Sequence, residues 1–223
     1  MLATGLAARW RPRRFSDVAG QSSAVSVLKA SAESAEPVQQ ILLSGPSGTG
    51  KTTLGRIYAA SLLCTATDET KPCGQCESCM LISEGRHPDI HELDAASNGG
   101  VDDIRQLSDI AAHSSSLGSW RVFIIDEAHG LTAHGAQAFL KLLEEPPRHV
   151  IFCLATTDPQ KLPLAIRGRC LNIPVTEVSW EDARDNVVRV AALAGWNISD
   201  DFAEVIVRGT DPALGVRGTL MTL

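Results

Sequence analysis

The chain has 223 residues, 44% of them apolar and 21% charged, with a formal net charge of −6 at pH 7. That is room for one large domain, or one with a small second domain, around a full core. The acidic balance speaks against a dedicated surface for nucleic acid or anionic membrane, and aromatics at 4% are too few for a base-stacking platform.

The first residues, MLATGLAARWRPRRFS, are rich in arginine and free of acids, faintly like a transit peptide, yet they lack the apolar region of a secretory signal. No apolar run approaches a membrane span of about 18 residues, and stretches such as VIFCLA are strand-sized. The expected compartment is the cytoplasm, where thiols stay reduced and metal binding wins over disulfides.

Residues 39–44 (QQILLS) read as a buried strand and 45–50 as a turn. From Lys51 a helix carries Leu54, Ile57, Tyr58, Ser61 and Leu62 at helical spacing. Residues 88–94 (PDIHELD) form a second expected strand. Val101, Ile104, Leu107 and Ala111 then mark one face of a helix whose positive end carries Asp102 and Asp103. Two further strands, 121–126 (RVFIID) and 149–157 (HVIFCLATT), lack polar alternation, as strands covered on both faces do. Between them AHGAQAFLKLLEE is an amphipathic helix with Ala136, Phe139, Leu140 and Leu143 inward, stopped by Pro146 and Pro147. This alternation predicts an α/β fold, a parallel sheet covered by helices. After CLNIPV the pattern changes. SWEDARDNVVRVAALAG and SDDFAEVIVRG each have a serine-and-acid start and a glycine stop, with no strand between them. A nucleotide-binding domain over 1–173 and a small helical domain over 174–223 are therefore expected, the chain ending at GVRGTLMTL as if in a third helix just begun.

The segment GPSGTGKT fits G-x-x-x-x-G-K-[ST] and lies between a strand and a helix, the setting a phosphate-binding loop needs. Gly45, Gly48 and Gly50 let backbone N–H groups turn inward around phosphate oxygens, with Pro46, Ser47 and Thr49 completing the cradle and the helix N-terminus adding positive potential. Lys51 would reach the β- and γ-phosphates of ATP, Thr52 would set its hydroxyl on Mg²⁺, and Thr53 belongs to the same nucleotide-contacting set. In VFIIDEAH, Asp126 ends a hydrophobic strand where a phosphate-bound Mg²⁺ needs a carboxylate, and Glu127 can polarise an attacking water. Together the motifs predict Mg-ATP binding with hydrolysis. His129 and His134 are expected to be packing or surface residues.

Cys64, Cys73, Cys76 and Cys79 follow the spacing C-x8-C-x2-C-x2-C. Such thiolates can hold Zn²⁺ tetrahedrally, carry an iron–sulfur cluster, or pair as disulfides. Ferredoxin-type motifs share the short spacing, but their fourth ligand lies downstream beside a proline, whereas Cys64 lies upstream. A closed set of four leaves no position for substrate, so the zinc reading is structural. It would staple an excursion that lacks a core of its own onto the helix after the phosphate loop. Cys153 and Cys170 read as core residues.

Taken together, ARWRPRRFSDVAGQ, the phosphate loop, the four cysteines, LDAASNGGVDDIR, IIDEAH, LLEEPP, LATTDPQKLP and GRC closely resemble the gamma/tau subunit of the bacterial DNA polymerase III clamp loader, an AAA+ ATPase of DNA replication. The likeness is strong from Arg9 to Cys170 and weak beyond. It implies an AAA+ P-loop sheet with a structural zinc insertion at the four cysteines, followed by an α-helical lid that is incomplete here, without the collar domain that builds the ring. It also implies roles that spacing does not give. Thr157 resembles the sensor of the γ-phosphate, Arg169 the arginine finger reaching a neighbouring subunit's ATP, and Arg217 the second sensor on the lid. Arg9, Trp10, Arg11 and Pro12 match the segment packed near the adenine, and Lys141 with the LLEEPP helix matches the part that couples ATP to DNA. An arginine suits the finger because its fixed fork neutralises charge on the transferred phosphoryl.

Two positions depart from the family: Gly168 stands where a serine is usual, and GVRG where an Arg-Asp pair is usual. Thr157 could also simply bond its own turn before Asp-Pro. The implied partners are other clamp-loader subunits in a hetero-pentamer, the sliding clamp, and primed DNA held by its backbone without base reading; no membrane is implied. Alone, such a chain is expected to assemble and hydrolyse ATP poorly. Two other functions compete: an ATP-binding scaffold without turnover, against which Lys51, Thr52, Asp126 and Glu127 together speak, and a helicase suggested by DEAH, for which 223 residues leave no second motor domain.

Overall fold

The structure, a computed structural model, describes residues 5–67 and 71–223. Residues 1–4 of the expected first domain and 68–70 of the expected cysteine insertion lie outside them. A short helix α1 (Leu6–Arg9) leads through an arginine-rich stretch to α2 (Ser22–Glu33). There follow β1 (Gln40–Ser44), α3 (Lys51–Leu63), α4 (Glu77–Ser83), β2 (Ile90–Asp94), α5 (Val101–Ala112), β3 (Arg121–Asp126), α6 (Ala133–Glu144), β4 (Val150–Thr156), α7 (Leu164–Arg167) and β5 (Leu171–Pro174). The last elements are all helical: α8 (Trp180–Leu193), α9 (Asp200–Gly209) and α10 (Gly215–Thr222). The strands form one parallel sheet in the order β2-β3-β4-β1-β5.

Both faces of this sheet are covered, which is why its inner strands are continuous apolar runs. On one face Ile41, Leu43, Val122, Ile124, Ile151 and Cys153 meet Leu28 of α2 and Leu54, Ile57 and Tyr58 of α3. On the other, Leu42, Phe123, Ile125, Phe152 and Leu154 meet Ile104 and Leu107 of α5 and Phe139 and Leu143 of α6. Phe152 is stacked on Phe123 and met edge-on by Phe139, with centroids 5.5 and 5.3 Å away, geometries that favour aromatic pairs. At the sheet's end, the fully buried Asp89 accepts from the backbone N–H of Ser116 and Leu117 (2.6 and 2.7 Å) and from Arg121 (3.1 Å). Arg121 also donates to the carbonyls of Ile110, His113 and Ser114, pinning the loop between α5 and β3.

The strand order fixes where chemistry can occur. β1 lies between β4 and β5, and β3 lies beyond β4, so the C-terminal ends of β1, β4 and β3 open side by side. Ser44 pairs with Thr156, and Asp94 with Asp126, along this edge. Ligands of open α/β sheets bind at such an edge.

Besides the one-turn helices α1 and α7, three elements go beyond the sequence expectation: α2, α4 and β5. Only Ile173 is buried in β5, so the strand has no apolar run to announce it. The buried stripe of α2 is Ala24, Leu28 and Ser31, small and partly polar. Ser31 earns its position by hydrogen bonding: its hydroxyl lies 2.8 Å from that of Tyr58 and accepts from the Val38 N–H. Past β5, the side-chain amide of Gln21 brackets the Thr176 backbone, donating to its carbonyl at 2.6 Å and accepting from its N–H at 3.1 Å. α8, α9 and α10 then bury Val187, Val190, Ala203, Ile206 and Leu220 together, with Ala7 and Trp10 packed against that cluster.

Candidate functional site

The loop 45–50 leaves β1 at the active edge and feeds α3. Gly48 and Gly50 have φ of +74° and +101°, a region side chains rarely allow. Packing adds a second demand: a Cβ on Gly45 would lie 1.8 Å from the Val175 carbonyl oxygen, and one on Gly48 would lie 2.2 Å from that of Leu214. The loop is thus clasped between the chain after β5 and the start of α10. Thr49 is buried and donates to the Pro46 carbonyl, whereas Pro46 and Ser47 are exposed on the outer side, lining a hollow with Trp180 and Arg208.

The first residues of α3 carry the polar groups inward. Lys51 is buried, and its Nζ donates to the carbonyls of Gly45 (2.8 Å) and Pro46 (2.6 Å). Burial lowers the Lys51 pKa and Arg217 adds to that, while the carboxylates of Glu127 and Asp126 work against it. Thr52 Oγ1 donates to Asp126 Oδ2 at 2.7 Å, joining the ends of two motifs far apart in sequence. Glu127 has a left-handed backbone (φ 44°, ψ 47°), and its Oε2 accepts from Thr157 Oγ1 at 3.2 Å. It is the preceding residue, Thr156, whose hydroxyl accepts from Asp158 N–H within the turn.

A cleft runs beside the loop, with Trp10, Arg11, Pro12, Gly48, Thr49, Gly50, Thr53 and Arg217 among its lining residues. Trp10 Nε1 is buried with no partner among the described residues. Asn186 and Arg189 of α8 also line this cleft and were not foreseen, because a helical stripe of mixed polarity reads as a solvated face. Two expected site residues stand apart. Arg9 lies outside the cleft with its guanidinium 5.4 Å from the Trp10 ring centroid. Arg169 is exposed, donating to Glu144 (2.6 Å) and to the Ala165 carbonyl (3.0 Å). His134 is exposed, but His129 is half-buried and turns its ring toward Glu127, so it is no bystander. Its signal in the sequence is the spacing DEAH, which sets it one turn past the acidic pair.

Cys64 ends α3, and Cys76 caps α4. The Sγ atoms of Cys64, Cys73, Cys76 and Cys79 all lie within 4.8 Å of one another, and none is in a disulfide. A single tetrahedral ion with bonds near 2.3 Å asks for sulfur separations of about 3.8 Å, and Cys64 and Cys76 sulfurs are 4.0 Å apart. An iron–sulfur cluster, with sulfides between its irons, spreads its cysteines more widely. Backbone N–H groups of Cys73, Gln75, Cys76 and Cys79 point at the sulfurs at 3.3–3.5 Å, as in a thiolate knuckle. Burial alone would raise the Cys76 thiol, but the N–H groups of Cys79 and Thr65 bring it down to about 6, and N–H groups lower Cys73 as well, whereas burial raises Cys64 and Cys79. The donor set fits a zinc ion.

The fold is of the AAA+ type, with a P-loop at the edge of its parallel sheet. The comparisons agree: a RuvB Holliday junction branch migration motor from Thermotoga maritima superposes with a TM-score of 0.69 at 23% identity, covering 94% of this chain and 63% of that one. A DNA polymerase III gamma subunit-related protein from the same organism gives 0.57 at 25% identity, over 74% and 49%. The family model for the DNA polymerase III delta subunit matches residues 20–179. The tau subunit of Escherichia coli is 41% identical over 83% of the chain and 29% of its own length. The gamma/tau subunit of Mycobacterium tuberculosis is 39% identical over 90% and 35%, and the Bacillus subtilis tau subunit 36% identical over 96% and 38%. The chain belongs to this DNA polymerase III subunit family, on its gamma/tau branch, and spans 29–38% of the length of these relatives. Among the described residues, no helix is long and apolar enough to cross a membrane.

Proposed function

We propose that the chain is an ATP-binding and ATP-hydrolysing motor subunit of a DNA polymerase III clamp loader. In this reading it works in the cytoplasm with other loader subunits in a hetero-pentamer and loads a sliding clamp onto primed DNA. The observation that carries the reading is the meeting of Thr52 Oγ1 and Asp126 Oδ2 at 2.7 Å, with Lys51 and Glu127 beside them. Paired oxygens suit a hard cation, so Thr52 and Asp126 would hold Mg²⁺, which would supply charge neutralisation at the phosphates. The loop from Gly45 to Thr53 receives the phosphates on its N–H groups, and Lys51 exchanges its carbonyl partners for β- and γ-phosphate oxygens. Glu127 orients and polarises the attacking water, and Thr157, bonded to it, senses the γ-phosphate.

Trp10, Arg11 and Pro12 pack beside the adenine, with Arg9 stacked on Trp10 to stiffen it. Arg217 brings the lid's charge to the phosphates. Arg169 serves a neighbouring subunit's ATP, a reading supported by its exposure and its engagement away from the cleft. Zn²⁺ on Cys64, Cys73, Cys76 and Cys79 is structural. The sheet domain, 1–173, and the lid, 174–223, close on the nucleotide from opposite sides. In the complex assembled with clamp and primed DNA, Glu127→Gln is expected to bind ATP but lose turnover by about 100-fold or more, and Arg169→Ala to lose about 1,000-fold. Wild-type turnover in Glu127→Gln would leave the scaffold function standing instead.

A further inference from the structure

We propose that His129 is a positioning residue for Glu127, holding its carboxylate so that a chosen oxygen faces the water; the proposal rests on the hydrolytic reading above. Glu127 needs such holding. Its left-handed backbone is strained for a residue with a side chain, and such a conformation persists only when the surroundings over-determine it. Its Oε2 lies between two groups from the same edge of the sheet, Thr157 Oγ1 at 3.2 Å and His129 Nδ1 at 3.4 Å. Among the described residues Oε1 has no protein partner, so it is the oxygen left to meet water.

The imidazole is itself anchored. His129 lies in the turn directly after Glu127, and its Nδ1 is 3.0 Å from Thr156 Oγ1. Thr156 is fully buried at the end of β4, and its hydroxyl oxygen accepts from the Asp158 N–H at 3.1 Å. A proton on Nδ1 is donated to Thr156 Oγ1, and it also turns the positive edge of the ring toward Glu127 Oε2, 3.4 Å from the same nitrogen. A bare Nδ1 would instead set its lone pair against the carboxylate. The favourable arrangement therefore runs from buried strand end to hydroxyl, to imidazole, to carboxylate. Rigid β4 thereby dictates the orientation of a side chain that its own loop could not hold. The polar contacts of His129 are to Thr156 and Glu127, with none to the phosphate loop among the described residues, so its loss should be felt in turnover more than in ATP binding.

The test uses the full-length protein assembled with its polymerase III partners. His129→Leu keeps bulk without a donor, and His129→Asn returns an amide N–H close to the position of Nδ1. The expected result is a kcat lowered by about tenfold or more in His129→Leu with KM for ATP within about twofold of wild type, most of the loss being regained in His129→Asn. Thr156→Val, which removes the anchor, lowers kcat in the same direction by less. Wild-type kcat in folded His129→Leu, or a raised KM at unchanged kcat, overturns the proposal. Should His129→Leu not fold, the decision falls to Thr156→Val, whose wild-type kcat beside an impaired His129→Asn also overturns it. Glu127→Gln is run alongside to separate the two readings. Normal turnover there removes the hydrolytic reading itself, whereas a dead Glu127→Gln with a normal His129→Leu removes only the positioning role.

Discussion

Asp89 and Arg121 are charged side chains in a place where charge is expensive, and their surroundings explain why they persist. Two short backbone N–H bonds and a guanidinium hold Asp89, so its pKa is lowered although burial pushes it upward. Removing one partner would leave the other uncompensated, so Arg121→Met is expected to cost about 3–5 kcal/mol in chemical denaturation. The same region sets the acid sensitivity. His87 and His91 are both held below the usual 6.5, chiefly by burial, with Arg121 adding to the shift at His91. As pH falls below 6.5 the unfolded chain takes up protons that these folded histidines resist, and stability drops. Asp89 continues the trend: its contribution is complete above 3.8 and is lost as pH falls through its lower folded value. Denaturation midpoints should therefore decline steadily from pH 7 toward 5, and a flat profile would contradict this account. None of these roles could be read from the sequence, where Asp89 is an acid after a proline and Arg121 the first residue of a strand; burial, which decides their chemistry, is a property of the fold.

Among the elements, legibility followed burial. β1, β3 and β4 are covered on both faces and stand out as apolar runs, and α5 and α6 show one apolar face each. α3 gave a partial signal only, because it is wrapped nearly all round: besides Leu54, Ile57 and Tyr58 it buries Gly55, Ala59 and Ala60, so the amphipathic pattern is blurred. Gly55 is needed there, since a Cβ would come within 3.0 Å of the Cys153 sulfur on β4. Of the candidate site, the loop and the acidic strand end were readable because their chemistry demands fixed residue types at fixed spacing. Asn186 and Arg189 were not, because what brings them in is packing between elements.

The cysteine segment is the opposite case, with a strong sequence signal and little core. α4 buries only Cys79 and Ser78 fully, the latter 2.9 Å from His87 Nε2, and packs Ile82 against the core, so much of this segment's attachment falls to the sulfurs and to Arg14, which donates to the Cys73 carbonyl. Native mass spectrometry is expected to find about one zinc per chain, and chelation or Cys73→Ala should loosen this segment in hydrogen exchange while ATP binding remains. A chain free of metal with unchanged exchange would refute it.

Seen as one body, the protein builds its cleft from both directions of the chain. Trp10, Arg11 and Pro12 come from one side, and Val216, Arg217 and Leu220 from the other, with the phosphate loop between them. α10 touches the loop backbone directly, Gly215 being within 3.1 Å of Ser47 and Gly48 if it carried a Cβ. Any bulk at Gly215 would push the two apart, and its φ of +54° adds a conformational cost. Gly215→Val is therefore expected to weaken ATP binding by about tenfold or more in a fluorescence titration, with the sheet domain still folded. Unaltered affinity would mean the contact is dispensable.

A ligand touching Trp10, Thr49 and Arg217 together would act as a reversible cross-link, closing a chain loop of about 200 residues as a disulfide would, and thereby restricting the unfolded ensemble only while it stays bound. Calorimetry would register this as a change in cooperativity as well as in midpoint: helices and sheet melting in separate steps when the clasp is open, and in one when nucleotide fastens it.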